Sequence, residues 1–331
     1  MKLKEYHFKT EEIEATLSAF EAKGITELSV YDDSFADNKQ KIIQFLKAVE
    51  KKVPFLFVAL KINPKIIDLD VINQAMKINC SLELAFSANQ KQNGPYLFDK
   101  KFYSKKSNLL NNNGFVFGVS LTYADISVDT FKFFKDRIDF TVEQYPNHID
   151  FPQIENSELA QTAKVSGIFS AEEIRFARNI AFACKTFYSA GRAVPWFLSI
   201  LHALKIQPSK FFADFAEWQK VNNCDYTSGF VPEDCSHKEI EKMQLLFLSM
   251  KFEEKNKTEL IPIVNDIVKL NGAFSRLVGE GEESVIFTKY NPDDLLSPEA
   301  MDLNSFNNNV CMENCNVKIY LTDEGPDYKI I

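Results

Sequence analysis

The sequence predicts an α/β protein. A partial, TIM-like (β/α) barrel of parallel strands is expected over residues 1–155, and a mostly helical carboxy-terminal domain over 156–331. In the first half, short apolar runs alternate with single amphipathic helical segments, the pattern of parallel strands joined by crossover helices. In the second half the helical period dominates, and two capping boxes, Ser170-Ala-Glu-Glu173 and Ser236-His-Lys-Glu239, mark helix starts. A small β element is expected at the end of the chain.

Local signals place the elements of the first half. Thr10 can cap the first helix and Asp37 the second, and Gly24 ends the first. The continuous apolar run at 55–60 suits a strand that is covered on both faces. The predicted strands are 28–31, 55–60, 82–86, 116–123 and 148–151, and the helices between them lie near 10–24, 37–49 and 68–78, in a segment ending near 112, and at 130–144.

The second half contains the signals of a helical domain. Pro195 and Pro208 each stand in the first turn of a predicted helix, where the missing amide of proline costs nothing. The predicted helices are 170–188, 195–204, 208–222, 236–250 and 260–270, and the predicted strands are 285–288 and 317–321.

Composition excludes some classes of function. The net charge is −8 and the pI is about 5.3, which argues against a nucleic-acid surface. The first residues are polar and no apolar run reaches membrane-spanning length, so we expect a cytoplasmic protein. Phe is common, with 30 residues, and is interpreted as aromatic filling between helices and sheet.

Polar residues at the predicted strand ends form the candidate site. In a parallel α/β sheet, the groups that follow each strand line the functional face. Asp32 and Asp33 come directly after the first predicted strand, and Glu83, on the third, is expected to need a partner such as Lys61. The predicted polar mouth consists of Asp32, Asp33, Lys61, Glu83, Ser87, Asn89, Tyr123, Asp125, Asp150 and Gln153, without an assigned ligand and with no catalytic residue among them.

Four of the six cysteines are weak candidates for a metal site. Cys224, Cys235, Cys311 and Cys315 supply the right number of thiolates for zinc or a cluster. Their spacing does not form two tight ligand pairs, so structural roles are favoured and no metal is expected.

Several of these landmarks together resemble a known family. Residues 5 to about 220 are similar to the cobalamin-associated branch of the radical SAM superfamily, with its appended helical domain. The matching segments, in order, are Val30-Tyr-Asp-Asp-Ser-Phe35, Glu83-Leu-Ala-Phe-Ser87, Phe98-Asp-Lys-Lys101 with 109–114, Tyr145-Pro-Asn-His-Ile-Asp150, and Tyr188-Ser-Ala-Gly-Arg192 with Pro208-Ser-Lys-Phe-Phe212.

The resemblance implies a cluster loop that these 331 residues lack. Family members bind an iron–sulfur cluster through a C-x-x-x-C-x-x-C motif, and its open iron binds S-adenosylmethionine. Two explanations stay open: the loop and the first strand lie on a missing amino-terminal segment, or the site has decayed. Decay is favoured because interior positions also depart from the family, with Ala124-Asp125-Ile126 at the expected Gly-Leu-Pro, Ala85 at a glycine and Ser87 at a Gln or Glu.

The sequence therefore predicts a degenerate radical SAM-like protein, a binding or accessory subunit without its own cluster. We expect no cofactor under this hypothesis. The alternative is a radical SAM enzyme whose cluster-binding segment is missing from this chain, and only then would the cluster and S-adenosylmethionine be cofactors. The expected partner is a complete radical SAM relative, or a second copy, at the open sheet edge beside 28–31.

Overall fold

A computed structural model describes residues 12–86, 89–90, 96–125, 129–155, 157–223 and 230–331. For residues 33, 34, 89, 90, 96 and 97 it describes the backbone only. The described chain forms two compact units: the residues up to Thr122 with Gln144–Asn147, and Tyr123–Glu143 with His148–Ile331. The predicted domain boundary near residue 155 stays a prediction.

The first unit alternates strands and helices. Its elements are α1 (Ile13–Ala22), β1 (Glu27–Val30), α2 (Asp33–Ala36), α3 (Lys39–Lys52), β2 (Phe57–Ile62), α4 (Leu69–Ala75), β3 (Cys80–Ala85), β4 (Asn89–Gln90), β5 (Tyr96–Leu97), α5 (Lys100–Asn112) and β6 (Phe117–Ser120).

The long strands of the first unit pair in parallel. β1 pairs with β2, β2 with β3, and β3 with β6, while the short β4 and β5 form an antiparallel pair. Leu82 and Leu84 of β3 and Val119 of β6 are fully buried. In β2, Val58 and Leu60 are buried, but Phe57 is 41% exposed, so the prediction that the run at 55–60 is covered on both faces is wrong. This arrangement confirms the predicted α/β class.

One predicted helix cap in the first unit is wrong. Asn38, not Asp37, caps α3, because its side chain accepts a hydrogen bond from the Lys41 amide at 3.1 Å. Asp37 instead accepts from the Asn63 amide group at 2.6 Å. The start of the first predicted helix, with Thr10, lies outside the described residues.

The second unit is mostly helical, which confirms the second part of the predicted fold class. Its elements are α6 (Phe131–Val142), β7 (His148–Asp150), α7 (Pro152–Glu155), α8 (Ser157–Ala160), α9 (Ala171–Cys184), α10 (Phe197–Leu204), α11 (Pro208–Asn222), α12 (His237–Glu254), α13 (Ile261–Glu280), β8 (Ser284–Thr288), α14 (Pro292–Leu295), α15 (Leu303–Asn309), β9 (Cys315–Thr322) and β10 (Gly325–Ile330).

Aromatic rings form the core of the helical part. Phe187 lies in a π-helical turn at Lys185–Ala190, and its ring centre is 4.9 Å from Phe211 and 5.0 Å from Phe215. Phe247 of α12 contacts both Phe211 and Phe215 at 5.1 Å. Edge-to-face pairs of this kind add stabilisation beyond their buried area. The phenylalanines of the second unit therefore pack helix against helix.

The end of the chain contains more structure than the sequence predicts. β8, β9 and β10 form an antiparallel sheet in the order β10-β9-β8, in which β8 and β9 were predicted and β10 was not. α13 continues ten residues beyond its predicted end at Leu270, because Gly272 is not a helix stop. A β-carbon at Gly272 would lie 1.9 Å from the Glu241 carboxylate, so this glycine permits close packing on α12, and α13 ends at Gly281, whose φ is +69°.

Within the described part of the chain, no helix has both the length and the apolarity that a membrane span requires.

Candidate functional site

The predicted site residues of the first unit lie on and after its strands. Asp32 follows β1 and is half-buried, and Asp33 opens α2, with a side chain outside the described part of the structure. Lys61 and Glu83 lie within β2 and β3 rather than beyond their ends. Ser87 is outside the described residues, and Asn89 is described by its backbone alone, in β4.

Lys61 and Glu83 are neighbours across the sheet. The parallel register places Lys61 of β2 directly opposite Glu83 of β3, and their predicted pairing stays a prediction. The Glu83 side chain is 7% exposed and accepts a hydrogen bond from the Ser81 hydroxyl at 2.6 Å. A buried carboxylate needs such bonds to offset the loss of its hydration. Neighbouring residues of the sheet thus stabilise Glu83.

In the second unit, the structure brings two predicted residues, Tyr123 and Gln153, into contact. The Tyr123 amide donates to Gln153 Oε1 at 2.8 Å, and Gln153 Nε2 donates to the Tyr123 carbonyl at 2.7 Å. Gln153 Nε2 also bonds the Thr162 hydroxyl at 3.1 Å. Both Gln153 and Tyr123 are buried, and burial raises the pKa of the Tyr123 phenol to about 12. The described contacts of Gln153 are structural, with the backbone as their main target.

The next residue, Ala124, adopts a backbone conformation that favours glycine. Its φ is +52°, in the left-handed region, where a β-carbon costs about 1 kcal/mol or more. Its amide donates to Asp129 Oδ2 at 2.9 Å, and its carbonyl accepts from the Lys164 amide at 2.9 Å. The segment Tyr123–Ala124 is therefore fixed at all four of its main-chain polar groups.

Asp129 is the centre of a buried ion pair that sequence reasoning missed. Arg137 of α6 donates from Nη1 to Asp129 Oδ1 at 2.9 Å and from Nη2 to Oδ2 at 3.0 Å. Burial raises the pKa of Asp129 to about 7 and lowers the pKa of Arg137 to about 10. Arg137 stays protonated at neutral pH, and its two-point bond favours the ionised form of Asp129.

The remaining predicted residues of the second unit are more accessible. Asp125 is exposed, next to the fixed segment. Asp150 of β7 is half-buried, and its Oδ2 lies 3.4 Å from His148 Nε2. The His148 contact assigns no ligand to Asp150, and exposure assigns none to Asp125, so the binding roles of both stay predictions.

A second polar cluster, also missed from sequence, lies at a cavity of about 450 Å³ in the helical part. Arg276 of α13 donates from Nη1 to Glu241 Oε2 at 2.7 Å and lies 3.0 Å from His237 Nδ1. Since arginine only donates, Nδ1 of His237 is the acceptor, and Nε2 carries the proton that faces the Gly191 carbonyl at 3.4 Å. Burial, with the charges of Arg192 and Arg276, lowers the pKa of His237 to about 4.

This cluster depends on a close backbone approach at Gly191. Gln244 Nε2 donates to the carbonyls of Phe187 and Gly191 at 2.8 and 3.0 Å. A β-carbon at Gly191 would lie 2.2 Å from Gln244 Nε2, so only glycine fits there. Helical spacing gave a signal for the cluster: His237, Glu241 and Gln244 recur at i, i+4 and i+7 on one face of α12.

The described cysteines are not brought together as a set of three adjacent metal ligands. Burial raises the pKa of Cys80 to about 12 and that of Cys184 well above its ordinary value, so both stay thiols. Among the described residues, no set of three adjacent potential ligands includes Cys235, Cys311 or Cys315. Cys224 lies outside the described residues. The weak thiolate hypothesis stays untested as a whole.

Comparison with known proteins gives a distant structural likeness. No family model and no curated protein matches the chain. Two solved structures of TsrM, a radical S-adenosylmethionine methyltransferase from Kitasatospora setae, are similar over 43% of this chain at 11% identity, with TM-scores of 0.36 and 0.35. One has cobalamin and a 4Fe–4S cluster bound, the other tryptophan substrate and aza-SAM, a SAM analogue. The likeness spans 28% and 30% of those chains, less than a third.

Proposed function

We propose that this chain is a binding or accessory protein on a radical SAM-like scaffold, without an iron–sulfur cluster of its own. The proposal concerns the 331 residues of this sequence and rests on the ordered interior motifs, which depart from the family where ligands would be approached. It does not depend on where the sequence begins.

The observation that carries the proposal is the conformation of Ala124. The resemblance places a glycine here, and the backbone has the positive φ of +52° that glycine adopts without strain. The glycine geometry is thus kept while the residue is alanine. A methyl group in place of a glycine hydrogen leaves less room for a ligand to approach the backbone, which supports decay of the site.

The polar groups around this position support the same proposal. Gln153 bonds the Tyr123 backbone and Asp129 bonds the Ala124 amide, while Arg137 bonds Asp129, all at distances of 2.7 to 3.0 Å. Such a saturated network fixes the segment in one conformation. A segment fixed in this way is expected in a rigid binding or accessory protein. It is less suited to a site that must open to admit a cofactor.

The accessory role requires a surface for a partner. Among the described residues, β1 pairs with β2 alone and ends the sheet order, which leaves its outer edge as a candidate. We propose a complete radical SAM relative as the partner at this edge. Pull-down with such a relative, against the same chain carrying Ser29→Pro, tests this: proline removes one edge donor, so capture is expected from the wild type only.

The test of the main proposal is S-adenosylmethionine binding after anaerobic reconstitution with iron and sulfide. We expect no visible cluster absorbance, no calorimetric binding at micromolar concentrations of S-adenosylmethionine, and no cleavage of it. Cleavage by the purified chain would overturn the proposal. Cluster absorbance that disappears in Cys311→Ser/Cys315→Ser would overturn the absence of a cluster and support an auxiliary one.

A further inference from the structure

The outer edge of β8 is a sheet edge that no other described strand covers. β8 ends the order β10-β9-β8, and no other described strand pairs with it. Its outward face carries Val285, 57% exposed, and Phe287, 52% exposed. An edge with unpaired backbone groups and exposed apolar side chains is a template for another strand.

The opposite edge of the same sheet is protected. β10 carries Pro326, Asp327 and Lys329, all exposed. Proline lacks the amide that an added strand would need, and edge charges oppose a further apolar strand. β8 has neither device within its span, Ser284–Thr288. The two edges of one small sheet therefore differ in whether they discourage pairing.

The sequence around β8 is complementary to itself. In an antiparallel pair of two copies centred on Ile286, Val285 faces Phe287 and Ser284 faces Thr288, each of the second copy. One step outward, Glu283 faces Lys289 of the second copy. Val285 and Phe287 are exposed and alternate along β8, so they lie on one face, and the exposed Glu283 and Lys289 directly precede and follow the strand. Two apolar pairs are thus flanked by two pairs of opposite charge.

We propose that the β8 edge is a dimerisation surface, whose occupant is β8 of a second copy of this chain. The two-fold pairing joins the two three-stranded sheets into one of six strands, with an isologous interface. Within one chain, Lys318 bonds Oε2 of Glu283 at 3.0 Å. A carboxylate accepts several hydrogen bonds, so Lys289 of the second copy can share the same group.

Charge reversal tests this register directly. Sedimentation velocity over a concentration series is measured for the wild type, for Glu283→Lys, for Lys289→Glu and for the double variant with both changes. Each single reversal replaces two attractions with two repulsions and is expected to weaken dimerisation about tenfold. The double variant restores opposite charges and is expected to return to within about threefold of the wild type.

A substitution of an apolar residue at the proposed interface provides a second test. Phe287→Lys places a charge on the shared face and is expected to leave monomer at every concentration. Leu321→Lys is the matched control, because Leu321 is 59% exposed but lies on the central strand β9. Dimerisation of this variant is expected to equal that of the wild type. A monomeric wild type at all concentrations overturns the proposal. A dimer that Phe287→Lys leaves intact, or a double variant no tighter than the singles, overturns it as well.

Discussion

Arg137 and Arg276 are both buried on helices of the second unit, with 4% and 6% of their surfaces exposed. They differ in how their guanidinium groups are bonded. Arg137 reaches both oxygens of Asp129 with two nitrogens. Arg276 shares Nη1 between Glu241 and His237, and its buried Nε has no partner among the described residues.

The Asp129–Arg137 pair is fixed by many bonds, whereas the Arg276 network is conditional on the protonation state of His237. Asp129 holds the Ala124 and Thr130 amides as well as Arg137, so the network around Arg137 depends on one saturated carboxylate. The network around Arg276 instead requires His237 to stay neutral, since its Nδ1 must accept. We therefore expect the two networks to respond to pH in opposite directions, the first losing stability as pH rises through about 7 and the second as pH falls below about 6.5.

Removing the Arg137 guanidinium group is expected to have the largest effect on the free energy of unfolding. Arg137→Met leaves a buried carboxylate without its ion partner, which should lower the free energy of unfolding by about 3–5 kcal/mol. The pKa of Asp129 is raised above its ordinary 3.8, so the stability that its protonated form contributes is complete at low pH and lost as pH rises through about 7. Arg137 stabilises the ionised form of Asp129, which predominates above about pH 7. The loss in Arg137→Met, from urea unfolding, should therefore be larger at pH 8 than at pH 5.

The matched control for that experiment is Arg175→Met. Arg175 has a side chain that is 61% exposed, and its contact with Glu172 at 3.5 Å is a surface pair worth about 1 kcal/mol at most. Equal losses in the two variants at both pH values would show that the Asp129 pair is not a stabilising centre of the fold.

The second expected effect concerns His237. Its folded pKa of about 4 lies below the ordinary 6.5, so the unfolded chain takes up a proton first as pH falls. Stability should therefore be lost between about pH 6.5 and pH 4, with no further loss from this group below pH 4. At 1.36 kcal/mol per pKa unit the loss is about 3 kcal/mol at most.

The measurement is the free energy of unfolding in urea from pH 7.5 to pH 4, for the wild type and His237→Gln. The variant lacks the titrating ring and should show a flatter dependence over this range. His202→Gln, at an exposed position of α10, is the control and should keep the slope of the wild type. An unchanged slope in His237→Gln would contradict the conditional character of the Arg276 network.

Sequence patterns predicted most elements because each is a local property. The apolar run at 55–60 and the capping boxes at Ser170 and Ser236 correspond to β2, α9 and α12. The wrong end of α13 shows the limit of such signals. Asn271-Gly272 has the composition of a helix stop, but Gly272 serves contact with Glu241, which lies 31 residues away in the sequence.

The site was less predictable for the same reason. Gln153 was chosen as a strand-end polar residue, but its partner, the Tyr123 backbone, lies 30 residues away and is fixed by tertiary structure. Arg137 did give a signal in hindsight, because it falls on the buried face of α6 with Phe134 and Thr141. A charge at a core position of a helix indicates a buried partner, although not which one.

The third prediction extends the comparison to Gln153, which bonds the segment that Asp129 also holds. Gln153→Leu leaves the amide and the carbonyl of Tyr123 without these partners and should cost about 1–3 kcal/mol. Gln161→Leu, at an exposed position after α8, should change the free energy of unfolding by about 0.5 kcal/mol or less. Equal effects in urea unfolding would show that the Tyr123 backbone has other partners.

The smallest expected effect has the opposite sign. Ala124→Gly removes the β-carbon from a residue with φ of +52°, which relieves about 1–2 kcal/mol of left-handed strain. Glycine also gains freedom in the unfolded chain, which offsets about 0.4–1 kcal/mol of that relief. The variant should therefore be about 0.5–1 kcal/mol more stable than the wild type in urea.

The control is Ala19→Gly, at an exposed position inside α1. It should be about 0.5–1 kcal/mol less stable than the wild type, because a glycine within a helix carries only the entropic cost. If both glycines destabilise equally, Ala124 is not strained, and the argument for a lost glycine at this position fails.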